Sequence, residues 1–433
     1  AITAKRVAIE HAARIHADGA TGGGIIHIGG EYQGGGQMAT ALKTYIAPNT
    51  LITTNATQSG DGGEIIAWAD DSTFYYGQMQ SRGAPWDTPD HRYPYQGVGG
   101  FIEVSGRRYL DFRGDADLSG RIVGTLLLDP DDIDIVAGST NGGQIADGQI
   151  LFADAGTAGT TTTIGADDIA TRLSANANVI LQANNTIDVN AAVTSGGSGN
   201  LTLQTGNGGV ITVNQAINVN SGNLTLQADE INIVANLSGS GSIQLTSADV
   251  TQAIEIGSTD AARLNLTATE LGFLQNGWSG ITIGDSGLDA EIAVNEAVSF
   301  SDHTTFRSGP SPANDAGIDI NASITTTDNS DLYLYGYAGG ASTHAHAGVH
   351  ITGDLNVARD LEAQQQVSIN TNSISAGRDI TFVGGGSNNL RTNINAGRDF
   401  TSSWNGQQLR LFDGHSIIAG GDITLTGGNS ATT

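Results

Sequence analysis

Three groups of residues in this chain have the types and spacing to do chemistry. The first is Ala84-Pro85-Trp86-Asp87-Thr88-Pro89-Asp90-His91-Arg92-Tyr93-Pro94-Tyr95-Gln96. Here Trp86, Tyr93 and Tyr95 offer ring faces beside the charges of Asp87, Asp90 and Arg92. That combination suits stacking on a sugar or anchoring a partner protein, against the plainer reading of a flap packed on the flank of the fold. The second is the histidine cluster His344, His346 and His350. On a strand His344 and His346 share a face and, with ligands from neighbouring segments, could hold a transition metal; solvated surface histidines are the plainer reading. The third is Asp129-Pro130-Asp131-Asp132-Ile133-Asp134, whose oxygens could bind calcium. Asp131 and Asp132 point to opposite faces if the segment is extended, and no calcium-type nonapeptide is repeated, so a structural turn is favoured. Arg113-Gly114-Asp115 spells an integrin-type tripeptide, and Gly284-Asp285-Ser286-Gly287 echoes a serine-protease nucleophile without a matching His motif. Both read as structural, and no catalytic residue is assigned.

Composition limits what can hold these residues in place. Gly fills 61 of 433 positions and Pro only 7, yet 38% of residues are apolar. That is too apolar for simple disorder and too Gly-rich for helices, whereas many short strands joined by many turns satisfy both facts. Acidic residues number 44 against 18 basic ones, a formal charge of −26, and Lys5 and Lys43 are the only lysines. Phosphate binding depends on clustered Lys and Arg, so nucleic acid and anionic bilayers are poor partners, while cations, neutral glycans and protein surfaces stay open. The absence of cysteine rules out disulfides, thiolate metal sites and Cys nucleophiles, and suits an exported protein. No stretch approaches the roughly 18 apolar residues of a membrane helix. Ala1-Ile2-Thr3-Ala4-Lys5 is no signal peptide, so an export signal is expected upstream or already removed.

The chain repeats itself. Gly199-Asn200-Leu201-Thr202-Leu203-Gln204 recurs as Gly222-Asn223-Leu224-Thr225-Leu226-Gln227, then as Gly241-Ser242-Ile243-Gln244-Leu245-Thr246, and as Leu264-Asn265-Leu266-Thr267. Ala376-Gly377-Arg378-Asp379-Ile380-Thr381 returns at Ala396-Gly397-Arg398-Asp399-Phe400-Thr401 and at Ala419-Gly420-Gly421-Asp422-Ile423-Thr424. The spacing is about 19–23 residues. Within a repeat, Leu201 and Leu203, then Val210, Ile211 and Val213, then Ile217 and Val219 form short alternating strands parted by Gly, Asn and Ser. Two or three strands per repeat make one coil of a parallel β-solenoid, with Val, Ile and Leu ladders inside and Asn, Gly and Asp at the bends. The Asn-Leu-Thr triplets at Asn200, Asn223 and Asn265 are sequons by spelling, and recur because Asn suits the bend before a strand. Residues 5–17 could be drawn as an amphipathic helix, but two strands, Arg6–Ile9 and Arg14–Ala17, fit the strand-turn-strand texture that follows.

More specific text fills the first third. Gly22-Gly23-Gly24-Ile25-Ile26-His27-Ile28-Gly29-Gly30-Glu31-Tyr32-Gln33-Gly34 is followed by Gly62-Gly63-Glu64-Ile65-Ile66-Ala67-Trp68-Ala69-Asp70 and Gly99-Gly100-Phe101-Ile102-Glu103-Val104-Ser105-Gly106. Leu110-Asp111-Phe112-Arg113-Gly114 and Gly124-Thr125-Leu126-Leu127-Leu128-Asp129-Pro130 complete the set. In that order these segments resemble the filamentous-haemagglutinin family of large two-partner-secretion exoproteins, over roughly residues 1–136; the later repeats share only its texture. The resemblance implies a right-handed parallel β-helix, export through an outer-membrane barrel transporter, and a role in adhesion, aggregation or biofilm structure, with no catalytic residues. The family's amino-terminal secretion domain is not visible, so the chain reads as an internal or C-terminal portion of a longer precursor.

The expected architecture is an all-β right-handed parallel β-helix with coils of about 19–23 residues. Residues 1–136 form a family-like section with a lateral insertion at 84–97, and 137–433 a degenerate-repeat continuation of the same rod. The expected function is that of a secreted, cell-surface structural or adhesive protein that associates with itself, head to tail, and with glycans or cell-surface proteins. It is expected to need no cofactor, calcium being a weak candidate, and to insert in no membrane. A polysaccharide-active lyase or hydrolase, or a glycan-binding module, is the alternative.

Overall fold

A computed structural model of the chain describes residues 1–85, 96–138, 161–258, 260, 262–309, 317–336, 348–365, 367–384, 388–404 and 409–427. The chain forms two compact units, Ala1–Leu224 and Thr225–Thr433. Among the described residues there are 43 strands and two short α-helices, so the protein is all-β, and its fold is a parallel β-helix.

In the first unit the strands Ile25–Ile28, Glu64–Ala69, Phe101–Gly106, Thr125–Asp129, Asn178–Ala183 and Leu201–Thr205 pair in that order, every pair parallel. A second face stacks Arg6–Ile9, Lys43–Ile46, Ser72–Tyr75 and Tyr109–Phe112, and a third Arg14–His16, Leu51–Thr53, Gln78–Gln80 and Asp115–Asp117. The chain therefore visits three faces in turn and returns to each one coil later. The two strands expected at the N-terminus are present. Leu201, Leu203, Ile211, Val213, Ile217 and Val219 are all fully buried, as the alternation required. Each such side chain contributes roughly 1.5–3 kcal/mol by leaving water.

In the second unit Ser242–Thr246, Gly280–Gly284, Thr304–Arg307, Leu332–Tyr335, Leu361–Gln364, Ile380–Gly384, Phe400–Trp404 and Ile423–Gly427 stack in parallel order. The repeated Ala-Gly-Arg-Asp text lies in register: Ala376 beside Ala396, and Ala396 beside Ala419. Inside, Phe382 and Phe400 meet edge to face at 5.7 Å, both fully buried.

Coil length separates regular from irregular regions. The stacked aspartates Asp360, Asp379, Asp399 and Asp422 follow one another after 19, 20 and 23 residues. In the first unit the stacked pair Asp71 and Arg108 is 37 residues apart and Asp131 and Asn184 are 53 apart. Insertions make up the difference. One lies within 84–97, where the Gln96 N–H donates to the Ala84 carbonyl at 2.9 Å and residues 86–95 lie outside the described residues. Two others were not read from the sequence. One follows Ile25–Ile28; the other carries the helix α1, Ala166–Ser174, which buries Ala166, Ile169 and Leu173 at helical spacing. One repeat also needs correction. Leu264–Leu266 pairs with Ile254–Ile256 on another face, while Ile243 is followed in its own row by Ile281. After Leu264–Leu266 the chain turns into the helix Ala268–Leu271, capped by Thr267 and Glu270.

Candidate functional site

The outward face of the first sheet in the first unit holds a carboxylate centre. Along Phe101–Gly106, Ile102 and Val104 point inward while Phe101, Glu103 and Ser105 point outward. Register sets Glu103 beside Ile66 and Leu127, and Ser105 beside Trp68 and Asp129. Alternation alone would leave these side chains in water. Instead the segment after Ile25–Ile28 folds back over them. Gly34 lies against the Trp68 indole so closely that an added Cβ would come within 2.5 Å of the ring, and its φ of 66° also favours glycine. Tyr32 packs on Phe101 with ring centroids 5.9 Å apart. The Gln33 backbone N–H donates to both Glu103 oxygens at 3.1 and 3.3 Å, and Gln33 Nε2 donates to Gln182 Oε1 at 2.6 Å. Glu31 folds the segment on itself by accepting from the Gln37 and Met38 N–H groups, which holds its carboxyl below the usual range.

Burial pushes Glu103 up to about 7, with the Asp129 and Glu64 charges adding to the rise. Asp129 reaches about 7 for the same reason, helped by Asp131. Beside Asp129 lies a depression of about 320 Å³ lined by Trp68, Asp70, Arg107, Gln182 and Asn184. Carboxyls that keep a proton near neutrality can act as acids. Glu103, however, has no exposed surface and is held by Gln33, so its place in the fold is to fasten the covering segment to the sheet.

Elsewhere the polar side chains form ladders between coils. In the first unit Asn178 Oδ1 accepts from the Asn200 N–H at 3.1 Å, and Asn200 Oδ1 from the Asn223 N–H at 2.8 Å. This is why the Gly-Asn-Leu-Thr text recurs. Asp134 Oδ1 accepts from Asn190 Nδ2 at 2.8 Å, and Asn190 Oδ1 from Asn214 Nδ2 at 2.8 Å. In the second unit arginines join the ladder. Arg359 forks onto Asp331, Arg378 onto Asp360 and Arg398 onto Asp379, with Nε to Oδ1 distances of 2.6, 2.8 and 2.7 Å and Nη2 on the second oxygen each time. The N–H of the next aspartate completes each cradle, at 3.1 Å from Asp360, 3.1 Å from Asp379 and 3.2 Å from Asp399. Against the cost of burial, the Arg359 fork, the Tyr333 hydroxyl and the Asp360 N–H hold Asp331 below the usual carboxylate range. At Gly421 the arginine is missing, and Asp399 keeps only the Asp422 N–H from the coil that follows.

The residues singled out in the sequence fare differently. Trp86, Asp87, Asp90, Arg92, Tyr93 and Tyr95 lie outside the described residues, as do His344 and His346. His350 stands 3.7 Å from Asp319, its neighbour in register. The aspartates of 129–134 do not converge: Asp131 accepts from Asn184, Asp132 from Thr186 and Asp134 from Asn190, each one coil on. Arg113 is not presented outward, since its Nε donates to the buried Asp111 at 2.6 Å. Asp285 accepts from the Gly287 N–H in a tight turn. Sequence reasoning missed Glu103 and its cover; the available signal was an acidic residue between Ile102 and Val104, with the glycine-rich run from Gly29 to Gly36 upstream.

No family model matches the chain, and no curated protein matches it. Among the described residues no helix is long and apolar enough to cross a membrane, and no three His, Asp or Glu side chains gather as metal ligands would.

Proposed function

We propose that the protein is a secreted structural or adhesive β-helical protein of a bacterial surface, of the filamentous-haemagglutinin-like, two-partner-secretion kind. One observation carries this reading: the polar side chains are committed to ladders that bind each coil to the next, from Asn178 to Asn223 and from Asp331 to Asp399. Such ladders stiffen a scaffold and leave a repetitive surface of hydroxyls, amides and carboxylates for many weak contacts. Its partners would be an outer-membrane barrel transporter during export, then other copies of the chain and cell-surface glycans or proteins. Beads coated with the purified chain should adhere to cells or to one another, and light scattering of the free protein should grow with concentration. Inert beads together with a concentration-independent monomer would contradict the proposal.

A polysaccharide-active reading has one observation in its favour: Asp129, raised to about 7, borders a depression that also holds Trp68 and Asp70. Release of reducing ends or unsaturated products from a glycan panel, abolished by Asp129→Asn, would establish it in place of the adhesive reading.

A further inference from the structure

One cavity of the first unit gathers arginines, which are scarce in the chain as a whole. It encloses about 650 Å³ between α1 and the stacked bends at Pro48-Asn49, Tyr76-Gly77 and Arg113-Gly114. Three arginines line it, Arg14, Arg113 and Arg172, in a chain with only 18 basic residues against 44 acidic ones.

None of the three guanidiniums is fully used. Arg14 is exposed on its strand and makes no ion pair among the described residues. Arg113 gives Nε to Asp111, but its Nη1 is buried without a hydrogen-bond partner, a donor left over inside the protein. Arg172 lies over the Phe112 ring at 5.2 Å and reaches Asp115 Oδ1 only at 3.4 Å, and Asp115 is itself mostly exposed. The exposed Asp115 can give up this long contact at little cost, while Arg172 itself stays anchored by the Gly114 and Ala116 carbonyls.

We propose that this cavity binds the carboxylate of an acidic sugar, with Arg14 and Arg172 supplying the anion contacts and Arg113 adding its charge from the wall. Guanidinium forks match a planar carboxylate. The remaining lining fits the rest of a sugar: Asn49 and Gln78 can donate and accept, and Asp115 and Asp168 can accept from hydroxyls. Those two carboxylates also select against a compact polyanion such as phosphate, which has charge to repel them and no hydroxyl framework to engage them. The volume suits one or two sugar rings. This inference stands apart from the adhesive reading, since the cavity can take a sugar acid whether or not the protein coats a surface.

Calorimetric titration of the full chain with glucuronate, glucose and inorganic phosphate tests it. Glucuronate should bind with Kd on the order of 1 mM. Arg14→Gln and Arg172→Gln should each weaken binding about tenfold. Arg14→Lys should recover part of the loss, and Arg391→Gln, in the other unit, should change nothing. Arg14 carries the test where Arg172→Gln disturbs the fold, because Arg172 also donates to the Gly114 and Ala116 carbonyls. An oligoglucuronate that binds more tightly than the monomer assigns the site to polymer, and one that binds more weakly assigns it to the free sugar acid. Equal binding of glucose, tighter binding of phosphate, unchanged affinity in Arg14→Gln, or no binding of glucuronate at all would overturn the proposal.

Discussion

Glu103, on the outward side of a strand in the first unit, and Asp331, immediately before the strand Leu332–Tyr335 in the second, are both carboxyls with almost no accessible surface. Their chemistry is nonetheless opposite. Glu103 is covered by an inserted segment that offers one backbone N–H and no cation, so burial raises it to about 7. Asp331 is covered by the next coil, which brings the Arg359 fork and the Asp360 N–H, so it is held below the usual range. The difference teaches that the covering group acts together with the depth of burial to decide whether an acidic side chain stays neutral or ionised in this fold. A regular coil brings its own counter-charge with each repeat. An insertion brings only what its own short sequence contains.

The comparison breaks most sharply at Arg359. Arg359→Met leaves the buried Asp331 carboxylate without its cation and should cost roughly 2–4 kcal/mol in urea unfolding at pH 7. The loss should shrink on acidification, because protonated Asp331 needs no counter-charge. At the more exposed Arg398 the same change should leave the urea midpoint unmoved within error, which makes that residue the internal control.

A smaller effect sharpens the contrast at Glu103. A carboxyl whose folded pKa lies above its unfolded value adds stability that is complete below the ordinary carboxylate range and is lost as pH rises through about 7. Asp331, shifted the other way, adds stability that is present above the ordinary range and lost only as pH falls below it. Glu103→Gln should therefore stabilise the protein at pH 8, by about 1–3 kcal/mol, and matter little at pH 4. Urea midpoints across that window would check both the sign and the slope.

The sequence made part of this legible and hid the rest for identifiable reasons. Inward and outward positions follow from alternation, so Leu201, Leu203, Ile211 and Val213 were readable as core. The Gly-Arg-Asp repeats were readable as stacked, because a ladder needs the same residue at the same height in every coil. Alternation does not say which face a strand joins, and so Leu264–Leu266, spelled like its predecessors, sits on another sheet. Nor does it say what lies above an outward residue: Glu103 reads as solvated until Tyr32 and Gln33 are seen folded over it. α1 was spelled out by Ala166, Ile169 and Leu173 at helical spacing, but it stands alone among strands of period two.

In-register stacking is the claim on which the ladders depend, and a chain without cysteine allows it to be tested directly. Thr381 and Thr401 are register partners on the outward face of adjacent coils, whereas Ser403 partners Val383. Under mild oxidation, Thr381→Cys with Thr401→Cys should form an intramolecular disulfide, the α-carbons of such partners lying about 5 Å apart. Thr381→Cys with Ser403→Cys, about 8 Å apart, should not. Equal cross-linking of the two pairs, or cross-linking of the shifted pair alone, would contradict the stacking and the function proposed from it.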